Sequence, residues 1–296
     1  MPERFPLPTV DGEQTVAVTD PQTVGDRRVT RTQVEFRDGS EGRVYVADDG
    51  SVYPSVSTVV GARDGDTAGL DRWKATHDGS AGAADWRDLL AFKSAVGTLA
   101  HHAVLDPYAE RDLWGDEEAA AEESLAALGT FAYPVDDGVE KRDATTFGGA
   151  AVAWCRENAG RALSDLVGVL DVERFLIDEK RGYAGQVDLV YETDLPGCSR
   201  AVCDLKTSKR VYHKHRLQAE AYATALGEPV DVLKIARLDP YRRAVEESHS
   251  YQWVDPRSRR DEPVTRTDLR EEVERLATRV REERLPVRRA LPDERG

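Results

Sequence analysis

The chain has 296 residues, 40% of them hydrophobic, and its 55 acidic residues outnumber its 41 basic ones for a net charge of −14. A chain of this length buries a substantial core, as one large domain or as a domain with an extension. The N-terminus, MPERFPLPTV, lacks a secretory pattern, and no apolar run approaches the about 18 residues that span a bilayer, so a cytoplasmic protein without membrane contact is expected.

Residues 1–60 alternate apolar and polar positions, with Asp-Gly pairs at 38–39 and 49–50, and predict a β-rich opening segment. The period then changes. Asp85 is a candidate N-cap for a helix carrying Trp86, Leu89, Leu90, Lys93, Val96, Gly97, Ala100, His101 and Val104. A second helix is predicted over about 116–128, ended by Gly129, and a third over about 148–167. Residues 170–206 read as a β-meander, followed by a helix over about 214–226 and strand candidates at 230–238 and 247–254. The last helix, about 268–284, aligns Leu269, Val273, Leu276 and Val280 on one stripe. This order predicts a mixed α/β body, with a central antiparallel meander flanked by helices.

The meander carries unusual charge. Asp204 and Lys206 lie two residues apart in AVCDLKTSKR and therefore share a strand face. An acidic residue two before a lysine occurs only twice in the chain; the other case, Asp178 to Lys180, sits at a hairpin turn marked by Gly182. With turns near Lys180-Arg181 and Pro196-Gly197, symmetric pairing places Glu173 opposite Asp188 and Asp188 opposite Asp204. Directly opposed side chains are about 5 Å apart, so three carboxylates crowd around one lysine. Like charges so placed need a cation, and carboxylate ligands favour a hard ion such as Mg²⁺ or Mn²⁺.

Two further features bear on that patch. Gln218 and Tyr222, four apart in HRLQAEAYATAL, share a helical face. Gly97 and His101 stand one turn apart in VGTLAHHAVLD, and a mid-helix glycine, which costs about 1 kcal/mol relative to alanine, predicts a close approach there.

The series G-T-x-x-H (Gly97–His101), G-x-x-D (Gly185–Asp188), D-x-K (Asp204–Lys206) and Q-x-x-x-Y (Gln218–Tyr222) resembles the RecB-type branch of the PD-(D/E)XK nuclease superfamily. The segment YPSVSTVV at 53–60 also resembles the entry segment of its stand-alone exonucleases, such as the mitochondrial genome maintenance exonuclease and related phage or archaeal nucleases. The resemblance covers roughly residues 50–240. It implies a restriction-endonuclease-like α/β core and leaves residues 1–45 and the C-terminal helix unexplained; the domain expectation is a nuclease domain over residues 51–296, with the amphipathic helix at its end, after a β-rich extension of residues 1–50. It also implies that His101, Asp188, Asp204 and the carbonyl of Leu205 ligate Mg²⁺ or Mn²⁺, and that Lys206 positions or deprotonates the attacking water. On the same resemblance Gln218 and Tyr222 line the site or brace its strand, and Glu173 matches an auxiliary acidic position.

The expected substrate is DNA, single-stranded or bearing ends, and the expected activity is an exonuclease of repair, recombination or viral DNA processing. No P-loop is present, so a helicase or replication/repair partner would act in trans. A catalytically inactive nucleic-acid-binding or assembly protein that keeps the fold is the alternative, although the complete D…D-x-K set argues against it. A carboxylate-pair sugar hydrolase leaves Lys206 and His101 without a role. The net charge does not exclude DNA, because only 8 of the 41 basic residues are lysine and the acids are spread along the chain, the composition expected of a protein adapted to high salt. There, affinity rests on direct contacts: Arg210, Arg216, Arg242 and Arg243 are candidate phosphate ligands, and Trp73 or Trp86 candidate stacking residues. The cysteines, Cys155, Cys198 and Cys203, are too few for the four-cysteine iron–sulfur cluster of some relatives, so no cluster is expected; they read as reduced thiols. The His213/His215 pair is poorly spaced for structural zinc.

Overall fold

The computed structural model describes residues 3–19, 21–63, 67–79, 84–109, 116–136, 138–250 and 264–291. The alternating N-terminal sequence folds as a hairpin, β1 (Arg4–Thr9) with β2 (Gly12–Ala17), and an antiparallel sheet of β3 (Gln22–Val24), β4 (Arg27–Glu35), β5 (Glu41–Ala47) and β6 (Val52–Pro54). Both Asp-Gly pairs make turns, with Gly39 at φ 80° and Gly50 at φ 83°, a backbone region that glycine enters without a Cβ clash. The strand pattern stops earlier than expected. Ser55 accepts a hydrogen bond from the Thr58 amide and so caps a helix, α1 (Val56–Gly61), where the sequence pattern reads β.

The main sheet has the order β13-β12-β11-β10-β9. Strands β9 (Leu166–Asp178), β10 (Tyr183–Thr193) and β11 (Arg200–Lys206) form the expected antiparallel meander. A crossover through α6 (His213–Leu226) then sets β12 (Val232–Asp239) parallel to β11, and β13 (Ala244–His249) returns antiparallel at the edge. The strand candidate at 247–254 is therefore displaced toward the N-terminus, and its residues 251–254 lie outside the described residues.

Helices cover both faces of this sheet, the arrangement of a mixed α/β fold. On one face Val190, Val202, Leu233 and Ile235 pack with α1, with Leu217 and Tyr222 of α6, and with Leu269, Val273, Leu276 and Ala277 of the last helix, α7 (Arg266–Arg284). On the other, Leu189, Tyr191, Ala201, Cys203 and Leu205 pack with Ala100, Val104 and Leu105 of α3 (Trp86–Leu105) and with Cys155 and Ala159 of α5 (Ala144–Ala162). Cys155 and Cys203 are thus buried thiols, while Cys198 is half-buried.

Asp85 caps α3 as expected, accepting from the Arg87 amide, and α4 (Asp116–Leu128) ends at Gly129, φ 56°. Helix α5 begins and ends about four residues before its expected bounds, because Asp143 accepts from the Thr146 amide and fixes the start there. Two elements have no counterpart in the sequence reading: α2 (Thr67–Thr76), and a hairpin of β7 (Thr130–Val135) with β8 (Gly138–Asp143). The chain closes on itself: β14 (Arg289–Ala290) pairs with β4, and Arg288 and Arg289 reach Glu35 at 2.8 and 2.7 Å. The N-terminal sheet also touches the main one, through a parallel bridge from Ser55 to Ala184 and the Tyr45 and Phe175 rings, whose centroids are 4.8 Å apart. Among the described residues no helix is long and apolar enough to cross a membrane.

Candidate metal centre

The centre sits where the meander ladder opens. Paired residues of β10 and β11 run from Glu192–Arg200 to Leu189–Cys203, and beyond that point the Asp188 carboxylate accepts from the Leu205 amide at 2.6 Å. A side-chain oxygen thus replaces the ladder bond that the diverging strands no longer make. Glu173 falls between the pairs Val187–Arg174 and Leu189–Val172, which puts it opposite Asp188. Its backbone is left-handed, φ 49°, rare for a residue with a side chain and costing on the order of 1–3 kcal/mol. The carbonyl of Glu173 accepts from Gln186 Nε2 at 3.1 Å, which helps to hold this conformation.

Helix α3 supplies the imidazole. His101 Nε2 lies 3.1 Å from the Leu205 carbonyl, which can only accept, so Nε2 carries the proton; Nδ1 then presents its lone pair 3.8 Å from Asp188 Oδ2. His101, Glu173 and Asp188 each offer one ligand atom, and the three atoms lie within 4.8 Å of one another. Asp204 stands beside this trio rather than within it. It is fully buried; Oδ1 accepts from Lys206 Nζ at 2.7 Å, and Oδ2 has no hydrogen-bond partner. Leu205 orients two ligands through its amide and carbonyl, and the carbonyl keeps a second lone pair.

Gln218 and Tyr222 meet on α6. Gln218 Nε2 donates to the Tyr222 hydroxyl at 2.9 Å, and a Cβ on Gly185 would lie 2.8 Å from the Tyr222 ring and 2.9 Å from Val56. The glycine of G-x-x-D is therefore the residue on which the tyrosine ring rests. Gly97 differs: a Cβ there meets only Thr207 Oγ1, at 3.6 Å, an ordinary contact, so of the close approach of backbone or ligand expected at that position, the protein supplies no backbone part.

Burial pushes the Asp188 carboxyl up, and burial together with Asp188 raises Asp204 to about 6 and Glu173 well above its usual value. Burial, then Lys206, holds His101 down at about 4, so it is a neutral ligand at pH 7. Burial opposes the Lys206 charge, but Asp204 and Asp188 outweigh it and hold this lysine above its ordinary value. Several buried carboxyls and a neutral imidazole around one lysine are under-compensated in positive charge, and a buried carboxylate oxygen without a donor is costly unless a cation or proton reaches it. The donor set therefore fits a hard divalent ion.

This arrangement fixes a pH dependence. A carboxyl whose folded pKa is raised contributes stability below its unfolded value, about 3.9 for aspartate, and loses it as pH rises through the folded value; for Asp204 that is about 6. Metal binding needs the ionised carboxylates and offsets the loss. The rise in melting temperature produced by Mn²⁺ is thus expected to be small at pH 5 and to grow through pH 6 to 7.5, read by thermal unfolding at fixed KCl. Equal shifts at both ends of that range would contradict the assignment.

The other candidates are scattered. Arg210 is exposed with its guanidinium 5.0 Å from the Tyr212 ring, Arg216 is half-buried, and Arg242 and Arg243 are exposed in the turn after β12. Trp86 already carries Lys74 and Arg87 at 4.6 and 4.5 Å, and Trp73 packs against the α3–α4–α5 core with Lys93 over its ring at 5.5 Å. His213 pairs with Glu272 at 3.0 Å, and His215 Nδ1 accepts from the Tyr212 amide, so the two are committed to separate partners. The Asp178 of the other acid-x-lysine triplet accepts from the Arg181 amide in its turn.

A second ligand-like group has no counterpart in the sequence motifs: Asp165, Glu247 and His249 also offer atoms within 4.8 Å of one another. It holds a built-in cation, because Lys234, fully buried, hydrogen-bonds Asp165 and lies 3.1 Å from Glu247. No local pattern links these residues, which come from the turn before β9 and from strands β12 and β13.

No family model and no curated protein matches the chain. Among solved structures it is similar to the crystal structure of SSO0001, at 14% identity over 67% of this chain and 77% of that one, with a TM-score of 0.28. A likeness at that level carries no argument about activity.

Proposed function

We propose that the protein is a divalent-metal-dependent nuclease that hydrolyses phosphodiester bonds in DNA, acting as an exonuclease on single strands or ends. One observation carries the reading: His101, Glu173 and Asp188 converge within 4.8 Å beside a buried, partnerless Asp204 oxygen and the Lys206 ammonium. When bound, Mg²⁺ or Mn²⁺ supplies Lewis acidity and a counter-charge for the phosphate oxygens. The chain's own groups do the rest. The Leu205 amide fixes the Asp188 carboxylate, and the Leu205 carbonyl fixes the His101 tautomer. Lys206 brings a fixed positive charge to where negative charge develops on the phosphate, and Asp204 at 2.7 Å holds it there. Tyr222, tied to Gln218 and seated on Gly185, keeps β10 and α6 in register. The order and spacing of the four motifs support DNA as the substrate over a sugar, for which Lys206 and His101 have no assigned work.

End-labelled single- and double-stranded DNA incubated at high KCl is expected to be cut with Mg²⁺ or Mn²⁺ and to stay intact in EDTA. Mononucleotide products would indicate exonucleolytic action, and a ladder would indicate internal cutting. Absence of metal-dependent cleavage on either substrate would remove the reading.

A further inference from the structure

The stretch 205–219, LKTSKRVYHKHRLQA, contains three lysines, two arginines and two histidines and no acidic residue, in a chain with 55 acids. It begins at the candidate metal centre and runs through the loop after β11 into the first turns of α6. Lysine is scarce, 8 residues in 296, yet Lys206, Lys209 and Lys214 fall here, and Lys93 on α3 lies within electrostatic reach of Lys209. Lys206 is paired with Asp204 and His213 with Glu272, and His215 is buried, so the exposed cations of the tract are Lys209, Arg210 and Lys214, a local electropositive surface on an acidic protein; it adjoins the centre, because the Lys206 charge reaches His215.

At the middle of the tract stands Tyr212, 37% exposed, the one aromatic among the described large hydrophobic side chains left in water. Its ring has the Arg210 guanidinium at 5.0 Å and the Lys214 ammonium at 6.0 Å. It does not hang loose. The Tyr212 amide donates to His215 Nδ1 at 3.2 Å, the buried His215 ring meets the tyrosine edge-on at 5.3 Å, and the preceding Val211 packs into the core under α6. A solvated aromatic plane held in one pose between two cations is a surface for a flat, anion-bearing ligand. An unpaired nucleotide has both parts: a base with a π-face and a phosphate on each side. A duplex keeps its bases stacked on one another and cannot offer one to the ring.

We propose that Tyr212, with Arg210 and Lys214, is a stacking platform that binds an unpaired nucleotide of single-stranded DNA next to the candidate metal centre; its biological role rests on the nuclease reading, but its binding does not require cleavage. Trp73 and Trp86, the stacking candidates read from sequence, are less exposed than Tyr212, and Trp73 packs against the α3–α4–α5 core.

The test measures fluorescence anisotropy of the full chain in EDTA, at one fixed KCl concentration, with a labelled oligothymidylate and with a blunt-ended duplex of two complementary strands. Tyr212→Ala is expected to weaken oligothymidylate binding about 5- to 150-fold, the range for removing one stacked base. Tyr212→Trp is expected to retain binding, and the duplex to bind both variants as it binds the wild type. The melting-temperature shift with Mn²⁺ is expected to match wild type in Tyr212→Ala, which separates loss of the platform from damage to the centre. No loss in Tyr212→Ala, an equal loss on the duplex, no binding by the wild type, or displacement of the oligonucleotide by polyglutamate as effectively as by unlabelled oligothymidylate would each overturn the proposal. Tyr212-dependent binding without metal-dependent cleavage would retain the platform and remove the nuclease reading; cleavage with unchanged Tyr212→Ala binding would do the reverse.

Discussion

Lys206→Ala is expected to lower kcat for DNA cleavage by about 10²- to 10⁴-fold, the range for removing a positioned proton-transfer or charge-stabilising group, while the fold and the metal response persist. The fold persists because the carboxyl that loses its partner can take up a proton instead of staying charged. Asp204 is fully buried and already raised to about 6 by burial and Asp188, with Lys206 the main force opposing that rise. Without the ammonium it holds its proton more tightly and stays neutral in the metal-free protein. The metal response persists because a lysine competes with a divalent ion for the same carboxylates. Its removal leaves the ligand atoms of His101, Glu173 and Asp188 in place and frees Asp204 Oδ1. Single-turnover cleavage at saturating Mn²⁺, beside melting temperatures with and without the ion, separates the two effects. A slow variant that still gains stability from Mn²⁺ is the expected pair of results. A variant as fast as wild type would strip Lys206 of its role, and a slow variant that no longer responds to Mn²⁺ would make it a structural residue.

How much of this centre is legible in the sequence depends on how local each part is. The meander is two tight hairpins, so a turn located by Gly182 or by Pro196-Gly197 fixes which residues oppose one another, and Glu173, Asp188 and Asp204 can be aligned by counting. Counting fails where the backbone departs from a regular strand. The left-handed φ of Glu173 and the parting of β10 and β11 past Leu189–Cys203 decide that Glu173 joins His101 and Asp188 while Asp204 turns to Lys206. Neither leaves a mark in residue type. The helix bounds show the same contrast. Asp85 and Gly129 act on their own helices and are readable, whereas Gly148-Gly149 resembles a helix entry although Asp143 sets the true start of α5. Ser55 likewise caps α1 inside a segment whose alternation reads β. Least legible is the Asp165–Lys234–Glu247–His249 group. Its parts meet only because α6 carries the chain across the sheet to lay β12 beside β11, a tertiary event with no period of its own.

That group yields the second large effect. Lys234→Met is expected to destabilise the protein by about 3–5 kcal/mol, the cost of breaking a buried ion pair by removing one member. Lys234 is fully buried and Asp165 4% exposed, so neither charge is screened by water. Asp165 accepts from Tyr191 at 2.9 Å and Thr193 at 2.7 Å as well as from Lys234. Burial alone would raise its pKa, but the Lys234 hydrogen bond, then those of its neighbours, hold it below the ordinary aspartate value. A depressed folded pKa gives stability that is present above the unfolded value of about 3.9 and is lost as pH falls through the folded one. In Lys234→Met the sign inverts: two neutral donors cannot offset burial, the Asp165 pKa rises above its unfolded value, and protonation on folding recovers part of the loss. Denaturant midpoints with an unchanged slope should therefore show a deficit that is full at pH 7 and shrinks as the solution is acidified toward pH 4. Adding Asp165→Asn, which removes the stranded charge but keeps an oxygen for Tyr191 and Thr193, is expected to restore much of the stability at pH 7. A Lys234→Met deficit that is the same at every pH, or that Asp165→Asn deepens, would mean that the lysine acts through packing of its alkyl stem and not as the internal cation of this group.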